Sequence, residues 1–176
     1  DFVGSFFMNI SGCSFALLYA VWRRRSLAVF VLDPEFRFYF GLMFFYITVV
    51  SVGLWVYQVD TDPIEVFRHA IFQVASFTTG TGLTSTDPAH WPTFLPYLLV
   101  FSSFVGGCAG STGGGMKVVG AALVFQHSLR GLRQLIYPHG VFALRFGRRA
   151  VPDSVLQAVW GFVGVYITLA VILTLA

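Results

Sequence analysis

Long apolar runs, interrupted by short charged or glycine-rich stretches, set the organisation of this chain. Residues 2–22 are mostly apolar and about long enough to cross a hydrocarbon core of ~30 Å. The run stops at Arg23-Arg24-Arg25, and a loop carrying Asp33-Pro34-Glu35 and Arg37 follows. Residues 38–59 form the next run, rich in Phe, Val and Tyr. Trp55 and Tyr57 stand near its end, where a membrane interface favours aromatic rings. After Asp60-Thr61-Asp62-Pro63 comes a shorter segment, Ile64 to Phe77. Asp62-Pro63 is a helix start, a capping carboxylate followed by proline at the first helical position. A helix of about 14 residues is ~21 Å long, too short to cross a membrane.

The short segment carries Glu65, Arg68, His69 and Gln73 early and turns small and apolar toward Phe77. It is therefore expected to be re-entrant, returning as Ser76-Phe77-Thr78-Thr79-Gly80-Thr81-Gly82-Leu83-Thr84-Ser85-Thr86-Asp87. Residues 84–92 go back to the surface, punctuated by Asp87-Pro88 and Trp91-Pro92. Residues 93–129 are too many for one crossing. A glycine-rich block, Gly106-Gly107-Cys108-Ala109-Gly110-Ser111-Thr112-Gly113-Gly114-Gly115-Met116-Lys117, divides them into 93–105 and 116–129. The latter half ends at Arg130 and Arg133. Residues 134–153 are a basic, amphipathic connection with Arg145, Arg148 and Arg149, and 154–176 begin another span behind Pro152-Asp153-Ser154.

Composition narrows the class. Of the 176 residues 56% are hydrophobic and 11% charged, with mean hydropathy +0.76. Soluble domains carry about 25% charged residues, so this is a membrane protein. The basic pI of about 9.1 comes from arginine clusters flanking apolar runs, where topology signals sit, and does not point to nucleic acid. Residues 23–37 hold four Arg and residues 130–153 hold five, whereas the Asp60–Asp87 side holds four acids and Arg68 as its only Arg or Lys. By the positive-inside rule the arginine clusters are cytoplasmic and the Thr/Gly return opens outward. The arginines serve as topology anchors, and Arg145, Arg148 and Arg149 are candidates for anionic lipid. Cys13 and Cys108 stand in apolar surroundings and are expected to be small buried hydrophobes, in no disulfide or metal site. His69, His90, His127 and His139 show no metal-ligand spacing and are expected at solvated interfaces. The chain opens on Asp1 and closes inside an apolar run, as expected of a fragment.

The pattern predicts an all-α polytopic membrane protein. Its centre is a helix–pore-loop–helix unit with a re-entrant pore helix and a glycine-broken second helix. Gly80 and Gly82, one threonine apart, let the backbone turn its carbonyls in unusual directions. Rings of such carbonyls can replace the water around a dehydrated cation. Consecutive glycines weaken a helix by about 1 kcal/mol each relative to alanine, and Ser111 and Thr112 can bond freed backbone groups. Lys117 carries an intramembrane charge that needs water or a partner, which places it toward the pore or its cytoplasmic mouth. No covalent chemistry is implied, so no enzyme is expected.

The glycine-rich block at 106–117 resembles the intramembrane loop of the TrkH/TrkG/KtrB potassium transporters. Gln73 to Leu83 resembles the pore-helix end and filter of that family. Trp22-Arg23-Arg24-Arg25-Ser26, Asp33-Pro34-Glu35-Phe36-Arg37 and Pro152-Asp153 through Ala158-Val159-Trp160-Gly161 fit it too, most closely in its TrkH members. The resemblance implies four such units around one pore in a multi-pass protein of the bacterial inner membrane. Residues 1–37 would end one unit, 38–133 form the next, 134–153 connect on the cytoplasmic side, and 154–176 start another. It implies K⁺ as substrate, with no cofactor, at a filter of Thr78, Thr79, Gly80, Thr81 and Gly82. Gly82 matches the recurrent filter glycine, and Gly80-Thr81-Gly82 departs from the Thr-rich form of this unit. The gate loop would comprise Gly106, Gly107, Gly110, Ser111, Thr112, Gly113, Gly114, Gly115 and Lys117. A homodimer, lipid contact and a TrkA-like nucleotide-binding regulatory subunit are also implied.

Plainer readings compete. Gly106, Gly110 and Gly114 have the small-xxx-small spacing of close helix packing, which suits a non-conducting scaffold subunit. Thr78 to Thr86 would pass as an ordinary turn. Ser111 and His127 would suit an intramembrane serine protease, but Ala109 stands where a Gly-x-Ser-x-Gly elbow wants glycine.

Overall fold

The computed structural model describes residues 1–59, 62–92, 94–136, 145–146, 149–150 and 152–175. They form two compact units, residues 1–118 and 119–176. The first unit opens with two helices where hydropathy predicts one. Helices α1 (Phe2–Ser11) and α2 (Phe15–Arg24) are bent by 98° across Gly12-Cys13-Ser14. The end of α1 is closed by its own side chains: Ser11 Oγ donates to the Met8 carbonyl at 2.7 Å, and Cys13 Sγ to that of Asn9 at 3.3 Å. Ser14, extended at ψ 126°, starts α2. The Ser11 and Gly12 carbonyls accept from Thr112 N–H and Cys108 N–H at 3.3 and 2.8 Å. Those partners are remote in sequence, which is why length and hydropathy miss the break.

After α2 the arginine loop holds a short helix, α3 (Ala28–Leu32). Helix α4 (Pro34–Val56) begins ahead of residue 38 because Asp33 caps it, its Oδ1 accepting from Phe36 N–H at 2.9 Å. Helix α5 (Pro63–Thr79) starts at Asp62-Pro63 as predicted and runs past Phe77 through both threonines. A 3-10 turn at Pro88–His90, begun by Asp87, leads to α6 (Phe94–Phe104). Strands β1 (Val105–Gly106) and β2 (Met116–Lys117) pair in parallel, Val105 with Met116 and Gly106 with Lys117, and close the base of the glycine-rich loop.

Helix α5 lies at the centre of the first unit, packed against α1, α4 and α6. Tyr39, Val50 and Leu54 of α4, Ala70, Val74 and Ala75 of α5, and Leu95 and Leu99 of α6 share its core. In lipid the drive for such packing is close van der Waals fit rather than expulsion of water. It encloses a helix too short to span and holds its end in place.

The second unit holds α7, which starts at the boundary (Val118–Ile136), and α8 (Asp153–Leu175). Leu123 and Leu156 pack with Val119 and Val159, and Trp160 Nε1–H donates to His127 Nδ1 at 3.1 Å. Helix α7 continues past Arg133. Strands β3 (Arg145–Phe146) and β4 (Arg149–Ala150) form an antiparallel backbone pair. Much of the 134–153 connection, with His139 and Arg148, lies outside the described residues. Among the described residues, Pro34–Val56 and Ser154–Leu175 are each long and apolar enough to cross a membrane, and the bent pair α1/α2 passes the same test together.

Candidate functional site

The carboxyl end of α5 turns into the Thr/Gly return through a left-handed glycine. Gly80 has φ +71°, its N–H donates to the Phe77 carbonyl at 3.2 Å, and Thr81 N–H donates to that of Ser76 at 3.1 Å. This is the paired bond pattern of a Schellman cap. Gly82 is again left-handed, at φ +72°. Thr78 and Thr79 are buried in the last helical turn, whereas Gly80 to Thr84 are exposed.

The threonine hydroxyls are largely spoken for. Thr79 Oγ1 donates to the Ala75 carbonyl at 2.7 Å, the usual back-bond of a helical threonine. Thr81 Oγ1 donates to Ser76 Oγ at 3.3 Å and to Met8 Sδ at 3.0 Å. Thr78 Oγ1 is enclosed without a hydrogen-bond partner. Thr78 and Thr79 are thus helical and not part of an extended loop, and the exposed groups of this stretch are main-chain ones from Gly80 onward.

Two side chains of α5 brace the return from behind. Gln73, fully buried, donates through Nε2 to the Thr86 carbonyl at 2.6 Å. His69 Nδ1 lies 3.2 Å from Ser85 Oγ, and its Nε2 is 3.5 Å from Glu65. His69 is only 7% exposed, which corrects its expected place at a solvated interface; His90 is exposed, beside Asp87. The bracing roles of His69 and Gln73 were not read from the sequence, although a polar pair one turn apart on a short buried helix is a signal that finds them. Gln73→Leu removes the Thr86 tether while keeping volume. It is expected to speed amide hydrogen exchange across residues 84–87 several-fold at normal expression, measured by mass spectrometry.

The glycine-rich loop packs against the same end of α5. A Cβ built on Gly106 would lie 2.3 Å from the Gly114 carbonyl oxygen and 2.7 Å from that of Thr78. One built on Gly80 would lie 3.7 Å from Gly114 N. The other side of the loop rests on the break between α1 and α2. Cys108 N–H donates to the Gly12 carbonyl, Phe15 N–H to that of Gly110 at 3.2 Å, and Thr112 Oγ1 to that of Ser11 at 3.2 Å. Lys117 turns onto the loop itself, donating to the Gly113 carbonyl at 2.6 Å and that of Ser111 at 3.3 Å. Glu35 of α4, expected only as part of a cytoplasmic loop, accepts from Ala109 N–H.

Gly106, Gly110 and Gly114 therefore do not line one helix face, because the block is not helical, and the small-xxx-small packing surface is overturned. Of the protease pair, Ser111 Oγ is enclosed without a hydrogen-bond partner and His127 is engaged by Trp160. Cys13 and Cys108 are both buried, as their apolar surroundings imply.

A short, capped helix that ends in an exposed Gly-Thr-Gly return, followed by a helix broken by a glycine-rich loop, defines a pore-loop membrane protein. The TrkH family, described as a cation transport protein, matches residues 1–176. The chain belongs to this family, which is a transporter class and not an enzyme class. It is 41% identical over 170 residues to the Trk system potassium uptake protein TrkH of Escherichia coli K12, covering 97% of this chain and 35% of that protein. It is 32% identical over 169 residues to TrkG of the same strain, covering 94% and 34%. The crystal structure of the potassium transporter TrkH from Vibrio parahaemolyticus superposes with TM-score 0.91 at 39% identity, over 96% of this chain and 36% of that one. The chain thus spans about a third of the length of the relatives it matches.

Proposed function

We propose that residues 38–133 supply one unit of a four-unit pore for potassium uptake across a bacterial inner membrane. Residues 1–37 end the preceding unit, 134–153 connect on the cytoplasmic side, and 154–176 begin the next. The observation that carries this reading is the exposed main chain of Gly80 to Thr84 at the capped end of a buried short helix, with the glycine-rich loop packed at that same end. Of the predicted filter stretch Thr78–Gly82, the exposed carbonyls from Gly80 onward replace part of the hydration shell of K⁺, and the other units complete the ring. With the Thr79 and Thr81 hydroxyls bonded elsewhere, the ligands are carbonyls rather than side chains. The loop at 106–117 gates the path. No covalent step and no cofactor enter. On the family resemblance alone, the complete protein works as a homodimer in membrane lipid with a TrkA-like nucleotide-binding subunit on its cytoplasmic side.

The test is K⁺ uptake by cells lacking their own uptake systems, with the full-length protein and its Gly82→Asp variant at equal membrane expression. A side chain at φ +72° is strained by about 1–2 kcal/mol, and a carboxylate beside the filter binds the cation too tightly or distorts the ring. Uptake is expected to fall to the background of the host. Unchanged uptake and ion preference would leave a non-conducting scaffold as the better reading.

A further inference from the structure

We propose that Glu35 is a latch on the glycine-rich loop, holding it closed from outside both the loop and the filter. This rests on the reading above that the loop gates the path. The loop is gripped in two ways. Main-chain bonds and the Thr112 hydroxyl join it to the break at Ser11–Phe15, and these are neutral. Charged side chains grip it at two other points. The Glu35 carboxylate takes the Ala109 N–H, and the Lys117 ammonium takes the Ser111 and Gly113 carbonyls. Anion meets donor and cation meets acceptor, so each bond is of the charge-assisted, stronger kind. Lys117 is part of the loop's own base, paired with Gly106. Glu35 is a charged group from outside residues 105–117 that is bonded to the loop.

The position of Glu35 suits a latch. It stands in the first turn of α4, where a carboxylate is favoured by the helix N-terminus. The cap itself is made by Asp33, so Glu35 is free to reach outward without a part in starting the helix. Phe36, its neighbour, stacks between Phe30 and Phe40 at centroid distances of 4.5 and 4.4 Å, which fixes the base of the turn. Its target, Ala109, is exposed at the edge of the loop, next to Cys108, which is 1% exposed and tied to Gly12. Releasing Ala109 frees one edge of the loop while the core of α4, α5 and α6 keeps its contacts. Glu35 is a positioning residue: it touches no ion and acts through the loop.

The experiment uses the full-length protein with Cys108 as its one cysteine, Cys13 and any others being replaced by alanine. The rate of Cys108 modification by a small cationic methanethiosulfonate and the K⁺ flux at fixed driving force are measured for Glu35, Glu35→Gln, Glu35→Ala and Glu35→Asp. Loss of a hydrogen bond to an ionised group is expected to raise the Cys108 modification rate about tenfold in Glu35→Ala, with flux rising in step. Glu35→Gln, which keeps volume and a weaker acceptor, is expected to lie between, and it carries the test where Glu35→Ala does not reach the membrane. Glu35→Asp, which keeps the charge, is expected to lie nearer the parent than Glu35→Gln. K⁺/Na⁺ preference is expected to stay unchanged in all of them. Parent-like labelling in every variant overturns the latch, whether flux changes or not. Faster labelling with unchanged flux upholds the latch and overturns the gating role of the loop. Faster labelling with a changed ion preference overturns the assignment of Glu35 to the loop alone.

Discussion

Replacing Gly106 by alanine is expected to destabilise the full-length protein by about 2 kcal/mol or more, by analogy with overpacked cores. Gly114→Ala, in the same loop, is expected to stay within about 0.5 kcal/mol of the parent. The difference lies in what a Cβ meets. At Gly106 it enters the carbonyl oxygens of Gly114 and Thr78 at 2.3 and 2.7 Å, while at Gly114 it meets nothing within 4 Å. A flexible side chain can rotate away from an intruding methyl, but both contacts at Gly106 are main chain. One belongs to the glycine-rich loop and the other to the end of α5, so the methyl must push these two apart or distort β1. The measurement is thermal unfolding in detergent, followed by the monodisperse fraction on size exclusion. Equal stability of the two variants would show that the loop does not sit against the end of α5.

On the proposed gating role, deleting Gly113, Gly114 and Gly115 is expected to raise basal K⁺ flux about tenfold, from the loss of a charge-assisted bond and the ~1.4 kcal/mol that a factor of ten represents. The deletion removes the Gly113 carbonyl that accepts from Lys117 at 2.6 Å. It also removes Gly114, whose main chain approaches Gly106 and Gly80 together. The loop then loses both its internal brace and its seat beside the return. Adding Gly82→Asp to the deletion is expected to abolish the extra flux, since on the proposed function both pass the same filter. Flux at the parent level with normal expression would make the loop a packing element. Extra flux that survives Gly82→Asp would mean a leak around the filter rather than through it.

Much of the candidate site was legible from local rules. Asp62-Pro63 announces the start of α5 because a capping carboxylate and a preset φ act within one turn. Gly80 was among the predicted filter residues, although its structural part is to end the helix, a role that any left-handed cap assigns to glycine. The glycine-rich block was expected to break its helix, and it does, between Phe104 and Val118. The threonines were harder. A hydroxyl next to a candidate filter looks available in the sequence, yet Thr79 back-bonds to Ala75 as soon as the helix extends over it. The extent of a helix end is settled by packing, and here α5 gained Thr78 and Thr79 because both are buried.

Hydropathy, charge bias, caps and glycine clusters thus determined the membrane class, the short re-entrant helix and the broken second helix, because each signal acts between residues a few positions apart. The tertiary structure alone decided the break at Gly12-Cys13-Ser14, the seat of the loop upon it, the inward turn of Lys117 and the reach of Glu35. Ser11 and Thr112 are 101 positions apart and Glu35 and Ala109 are 74 apart. Whether a carbonyl or a carboxylate leaves its local partners for such a distant one depends on which groups the packing of α1, α4, α5 and α6 brings within hydrogen-bond reach. No pattern along the chain encodes that distance.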